Sequence, residues 1–377
     1  MSHENAIHEP LYKRINWVNS LFLILTPILV FIFLPLHLIY EGLDWRLIAL
    51  FAFYSVATSL SITGGYHRLF SHRSYEARLP LKLFYLIFGA ASLQGSALKW
   101  SCDHRRHHKH VDNEEDPYNI GRGFFYAHMG WIFFKDDPKY LKQGGADLKA
   151  DKWVMLQDKY YFPILLVVAF LIPALFGLAI GQPWGGLLFG CLARVLITHH
   201  STFFINSLCH MWGSQPYGDK TTARDSFILA LLTYGEGYHN FHHRFQADYR
   251  NGIRWYHWDP TKWLIQVSSI FGLTKNLRKV SDFEILKARL LADEKKLSQF
   301  GYYNERFQEV RQKIEESQKK IAQFKARYLE AKADFNVHKD EAIRQMKIEI
   351  KIAKIEFEAA LEQWQIMCNA QLAFARV

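Results

Sequence analysis

Nine of the chain's 18 histidines fall into four tight arrangements, and imidazole at that density is the chemistry of a metal centre. HRLFSH supplies His67 and His72, HRRHH supplies His104, His107 and His108, NSLCH supplies Asn206 and His210, and HNFHH supplies His239, His242 and His243. On a helix, positions i, i+3 and i+4 share a face, so each HxxHH projects three imidazoles toward one point. Asn206 and His210, at i and i+4, share a face as well. His67 and His72 cannot both lie on one straight helical face, so a helix end or bend is expected between them. Imidazole suits iron, zinc, copper or nickel. Nine exceed the needs of one ion and match two ions at four or five ligands each.

The elements that must position these residues are long apolar runs. Trp17 to Tyr40 contains no Lys, Arg, Asp or Glu and is long enough to cross a bilayer. Leu47 to Tyr66 is equally free of charge, and an uncharged stretch from Tyr160 to Ala193 is broken by the turn signal GQPWGG. Four membrane helices follow, at about 17–40, 47–66, 161–180 and 185–208. Arg194, His199 and His200 in the last should face the bundle interior, His199 in a structural hydrogen bond. The run Leu83 to Leu98 is short and flanked by Lys82 and Lys99, which reads as a buried or interfacial helix rather than a fifth crossing. The basic loop from His67 to Lys159 places residues 1–16, that loop and the C-terminus in the cytoplasm. All four histidine groups then fall on one side of the membrane. His110, His128 and His257 belong to no motif and are not expected to be ligands.

Composition narrows the class. The formal charge is +10, and the segment from Glu284 onward, with 18 basic and 15 acidic residues, accounts for +3 of it. The rest accompanies the membrane runs, which favours a lipid surface or phosphate-bearing substrate over nucleic acid. The 29 Phe, 19 Tyr and 11 Trp suit a membrane–water boundary. Cys102, Cys191, Cys209 and Cys368 are scattered, without the thiolate spacing of a structural zinc site or a disulfide framework. From about Asp282 to Val377 the chain is rich in Lys, Glu, Ala and Gln. Val310, Ile314, Ile321, Phe324, Tyr328, Ala331 and Phe335 recur at helical spacing, which predicts a long helix, helical hairpin or coiled coil with scope for self-association.

The stretches TGGYHRLFSHRSYEARLPLK, WSCDHRRHHKHVDNEEDPYN with RGFFYAHMGW, NSLCHMWG and GEGYHNFHH resemble those of the membrane fatty acyl desaturases, above all the Δ9 acyl-CoA (stearoyl-CoA) group. The resemblance runs in the same order over about Trp17 to Val280. It implies an all-α fold: four transmembrane helices capped by a cytosolic helical domain that holds a di-metal site, here followed by a helical tail at 282–377. It implies two iron ions, replaceable by zinc during purification, on the nine histidines named above, with Asn206 reaching one metal through water. It further implies dioxygen, two external electrons and a cis double bond placed in a long-chain saturated acyl-CoA. Gln94 and Trp100 match positions lining the bend of the acyl tunnel, Asp103 its head-group end, and Lys135 a base that meets CoA phosphates. Asp103 could instead orient a ligand histidine. Asp136 and Cys102 stand where relatives often carry bases, which leaves an acyl-lipid or acyl-carrier substrate open. A lipid or alkane hydroxylase would use nearly the same metal site. No haem or flavin segment is visible, so a cytochrome b5-like protein, ferredoxin or reductase is the expected electron donor. The helical tail in place of a fused donor leans toward a bacterial inner membrane over the endoplasmic reticulum.

Overall fold

The computed structural model describes residues 11–140, 144–333 and 340–374, so Phe335 and most of the segment before Lys13 lie outside the described residues. Two compact units divide the chain, one extending to Val280 apart from Pro216–Gly218, the other running from Ser281. Nearly all described secondary structure is helical, apart from a two-residue antiparallel pairing of Glu76–Ala77 with Thr274–Lys275 and isolated bridges.

Four helices in the first unit are long and apolar enough to span a membrane: α1 (Trp17–Tyr40), α2 (Trp45–Ser71), and later Tyr161–Ala179 and Pro183–His210. In the first and third, only 17% and 22% of the apolar window is buried, against 56% in the second and fourth. Side chains such as Phe31 and Ile39, each more than 70% exposed, can be stable there only in lipid. The chain is therefore an integral membrane protein with an inner and an outer pair of helices. Between the second and third spans in sequence come α3 (Leu79–Ala90) and α4 (Ala97–His110), and the third and fourth spans are α5 (Tyr161–Ala179) and α6 (Pro183–His210). Helix α3 stops after 12 residues, too short to span. Gly65 lets α2 and α3 meet closely, since a Cβ there would lie 2.6 Å from that of Tyr85. The α5–α6 turn uses Gly181 at φ +79°.

The loop Ala91–Ser96 joining α3 to α4 contains left-handed backbone at Leu93 (φ +61°) and Gly95 (φ +97°). Its polar groups are satisfied from α6. Arg194, fully buried, donates to the carbonyls of Gly190 (2.9 Å) and Ala91 (2.5 Å), and His199 lies 2.7 Å from the Ser92 carbonyl. A guanidinium inside a membrane bundle is thus used where irregular backbone needs donors.

Among the described residues the second unit has three helices: α9 (Asp282–Gln299), α10 (Glu305–Ala333) and α11 (Asp340–Phe374), with α7 (His239–Arg244) and α8 (Pro260–Ile270) preceding them in the first unit. Ser281 caps α9 by accepting from the Glu284 amide at 3.2 Å. Leu290, Leu297, Phe307, Val310, Ile314 and Trp364 form the unit's own core, and the Trp364 indole donates to Asp293 at 3.2 Å. Helices α10 and α11 run antiparallel, with Lys320 near Glu356 and Lys347 over the Tyr328 ring. Of the long helix, helical hairpin or coiled coil expected from the sequence, the described residues show two long antiparallel helices.

Candidate metal centre

The nine histidines converge in two groups. His67, His72, His104, His108 and His242 form one, His107, His210, His239 and His243 the other, with candidate ligand atoms in each within 4.8 Å of one another. Each HxxHH segment is shared between the groups. The i, i+4 pairs His104/His108 and His239/His243 stay together, while His107 and His242 point to the opposite group. Consecutive helical residues diverge by about 100°, so the third imidazole straddles two sites instead of joining one. The groups adjoin: the rings of His108 and His243 stack at 4.4 Å.

Local backbone explains how each imidazole arrives. The last 11 residues of α2, Ser61–Ser71, form a π-helix, and the His72 amide donates to the His67 carbonyl five residues back at 3.1 Å. This wider turn puts His67 and His72 on one face, which an α-helix could not do. Helix α4 starts on Ser96, whose Oγ accepts from Lys99 N at 3.2 Å. The α-helical part of α6 ends at Asn206 and tightens to a 3₁₀ turn over Leu208–His210, so the simple i, i+4 face expected for Asn206 and His210 is not kept.

The spacing fits metal ions. Nε2 atoms lie 3.0 Å apart in His67/His242, 2.8 Å in His72/His104, 2.9 Å in His108/His242, 3.1 Å in His210/His239 and 3.0 Å in His239/His243. Nitrogens about 2.1 Å from one ion lie about 3.0 Å apart at right angles and about 3.4 Å apart at the tetrahedral angle. The five spacings lie near the shorter value and His107/His243, at 3.4 Å, at the longer one, so both groups can close around an ion. Burial, reinforced by the charge of neighbouring imidazoles, pushes His72, His104, His108, His239, His242 and His243 well below the ordinary histidine pKa. Their lone pairs are therefore available to a metal.

Behind these rings stands a layer that sequence reading missed. His67 Nδ1 meets Glu236 at 2.9 Å, His107 Nδ1 meets Asp116 at 2.9 and 3.0 Å, and His210 Nδ1 meets the Thr222 hydroxyl at 2.7 Å. Thr222 in turn donates to Asp112 at 2.6 Å. Such contacts fix the ring so that Nε2 faces the centre. Burial raises the Glu236 carboxyl, but the charges of His67 and Arg68 outweigh it and bring the pKa to about 2. Arg68 is itself buried, held by Glu236 at 2.9 Å and Asp259 at 2.9 Å. The signal was in the sequence: Asp112 and Asp116 lie in VDNEEDPYN, just after the HRRHH ligands, and Glu236 lies in GEGYH, three residues before His239.

The other candidate residues fall in two places. Trp100 stacks on His104 at 5.1 Å and donates to Gln94 at 3.2 Å, and Gln94 donates to Thr202 on α6 at 3.0 Å. Asp103 is buried and its carboxylate is paired with Lys99 at 2.6 Å. Lys135 is exposed, and Asp136 holds Arg106 at 2.9 Å. His110 pairs with Glu115, His128 bridges Ser207 and His200, and His257 stacks on Tyr238, all outside both groups. A cavity of about 240 Å³ lined by Ser71, His72, Arg105, His108, Lys109 and Gln246 reaches the first group.

Four apolar helices, two of which end at the nine converging imidazoles, define a membrane-embedded, all-α protein with a histidine-rich centre able to hold metal. The chain belongs to the fatty acid desaturase family, whose pattern it matches over residues 44–267. It is 42% identical over 294 residues to acyl-CoA desaturase 1 of Saccharomyces cerevisiae, covering 76% of this chain and 56% of that protein. It is 41% identical to a probable acyl-CoA desaturase of Schizosaccharomyces pombe, covering 77% of this chain and 60% of that one. The stearoyl-CoA desaturase of Capra hircus is 37% identical, over 61% of this chain and 66% of its own length. The chain thus spans little more than half the length of the two yeast relatives. These relatives are fungal and animal, which gives the bacterial inner membrane no support. Nothing in a membrane helix or a ligand set records which membrane holds it.

Proposed function

We propose that the chain is a non-haem di-iron oxidoreductase that uses dioxygen and two external electrons to introduce a cis double bond, at Δ9, into a long-chain saturated acyl-CoA. The observation that carries this reading is the pair of adjoining imidazole groups with the Trp100–Gln94–Thr202 chain against one of them. His67, His72, His104, His108 and His242 would hold one ion and His107, His210, His239 and His243 the other, with Asn206 reaching one of the two through water. Iron bound there supplies the reductive activation of dioxygen that abstraction of two unactivated hydrogens requires.

The chain's own residues do the rest. An acyl chain has no polar handle at its middle, so its position must come from the shape of an apolar channel and from a fixed head group. Trp100 offers a flat apolar wall beside His104, held by Gln94, and this bend decides which methylenes face the centre. Asp103 and Lys135 serve the CoA end. Glu236, Asp116 and Thr222 keep the ligand rings oriented while charge at the centre changes. The metal site and both termini face the cytoplasm, where an electron donor such as a cytochrome b5-like protein reaches them.

The test is expression in cells lacking their own desaturase, with fatty acids analysed by gas chromatography and double-bond localisation, beside a His107→Ala/His108→Ala variant. New cis-monounsaturated acids that vanish in the variant support the reading. Hydroxylated acids keep the centre and replace the reaction. No product, in cells shown to supply electrons to a control enzyme, overturns the assignment.

A further inference from the structure

Helix α11 is amphipathic on two sides. Ala353, Ala360, Trp364 and Cys368 pack into the core of the C-terminal unit. The opposite side carries Ile348, Ile352, Ile355 and Ile366, which are 45%, 52%, 56% and 61% exposed, with exposed Ala359 between them. The positions 348, 352, 355, 359, 362 and 366 alternate steps of four and three residues, the spacing of a coiled-coil seam, and only Glu362 among them is charged. Four isoleucines at seam spacing on a helix already held by another face are not a solvated surface.

The charges beside the seam choose the occupant. Arg344 and Lys351 border it on one side, Glu349 and Glu356 on the other. The spacing extends back to Gln345, and in a parallel, in-register pair the residue just before each of 345, 352 and 359 faces the partner's residue five further on. Arg344 then meets the partner's Glu349, and Lys351 meets the partner's Glu356, whose carboxylate also reaches Lys320 of its own chain at 3.3 Å. An antiparallel pair would set glutamate against glutamate and base against base. The two glutamates also argue against a bilayer surface, where such a helix is rich in Lys and Arg around its apolar face. Copies of a membrane protein insert with one orientation, so their tails emerge on the same side, and confinement raises their effective concentration.

We propose that this face of α11 is a self-association surface that joins copies of the chain in parallel through Ile348, Ile352, Ile355 and Ile366. Isoleucine at both kinds of seam position admits three strands as well as two. The proposal is independent of the histidine centre and of the reaction assigned to it.

The test uses the full chain in membranes. The native cysteines are buried, which leaves a quiet background for disulfide trapping. Ile355→Cys should give a strong oxidised band of two chains, and Lys354→Cys, one residue off the seam, at least fivefold less. Arg344→Glu added to Ile355→Cys should lower the yield severalfold, and Arg344→Glu with Glu349→Arg should restore it. Equal trapping at 354 and 355, or no trapping at either, overturns the proposal. Trapping that Arg344→Glu leaves unchanged overturns the parallel register. An Ile355→Cys thiol that neither cross-links nor reacts with a water-soluble maleimide assigns the face to lipid instead.

Discussion

Replacing Asp116 with asparagine isolates the role of the carboxylate layer. Asp116 is buried and its two oxygens accept from three N–H groups: His107 Nδ1 at 2.9 and 3.0 Å, the Tyr118 amide at 3.1 Å and the Asp112 amide at 3.1 Å. An asparagine has one acceptor, so its NH₂ must face one of those donors whichever way the amide is turned. A buried donor left without a partner costs about 1–3 kcal/mol. Loss of such support typically lowers metal affinity by about 10–100-fold, equivalent to about 1.4–2.8 kcal/mol, so the two estimates agree. Only the second group contains His107. Metal counting on purified Asp116→Asn after dialysis against a weak chelator should therefore show a preferential loss approaching one ion per chain, with the other retained. Stability of the metal-free protein in thermal melts should fall by the same unpaired-donor cost of about 1–3 kcal/mol. A variant that keeps both ions at wild-type affinity would refute the claim that Asp116 orients His107, and equal loss of both would refute the division into two groups.

Other outcomes follow from the same geometry. Trp100→Ala removes the wall stacked on His104, and should leave the metal count intact while spreading the products over more than one double-bond position; a single unchanged product would remove Trp100 from substrate positioning. Arg194→Met leaves the Ala91 carbonyl without its donor, for a loss of about 1–3 kcal/mol in thermal or denaturant unfolding, and wild-type stability would show that water or another group takes over. Acid should act early. The buried histidines have folded-state pKa values below the ordinary value, so the unfolded chain takes up protons first as pH falls. Metal-free protein should then lose stability from about pH 6.5 downward, and melts independent of pH between about 8 and 5 would contradict this.

The four spans and the histidine groups were legible because both are local signals. A run of 20 uncharged residues and an HxxHH repeat can each be read without knowing what packs against them. What escaped were relations set by tertiary placement. That His107 and His108, neighbours in sequence, serve different groups depends on where α7 lies against α4. The π-helical end of α2 reconciles the spacing of His67 and His72, and no propensity marks it. Asp103 was open to two readings, a head-group contact and a histidine support, and its ion pair with Lys99 one turn earlier is a third relation that neither reading contained. Glu236 and Asp116 look like loop acids until burial and distance place them on ring nitrogens.

The most direct test of the account is to count iron in protein whose turnover is measured on the same sample. Chains purified from iron-supplied cells, given an electron donor, dioxygen and a saturated long-chain acyl-CoA, should desaturate it at a rate that tracks iron content and saturates at two ions per chain. Full activity with one ion per chain, or with zinc in place of iron, would contradict the paired-metal centre on which the account rests.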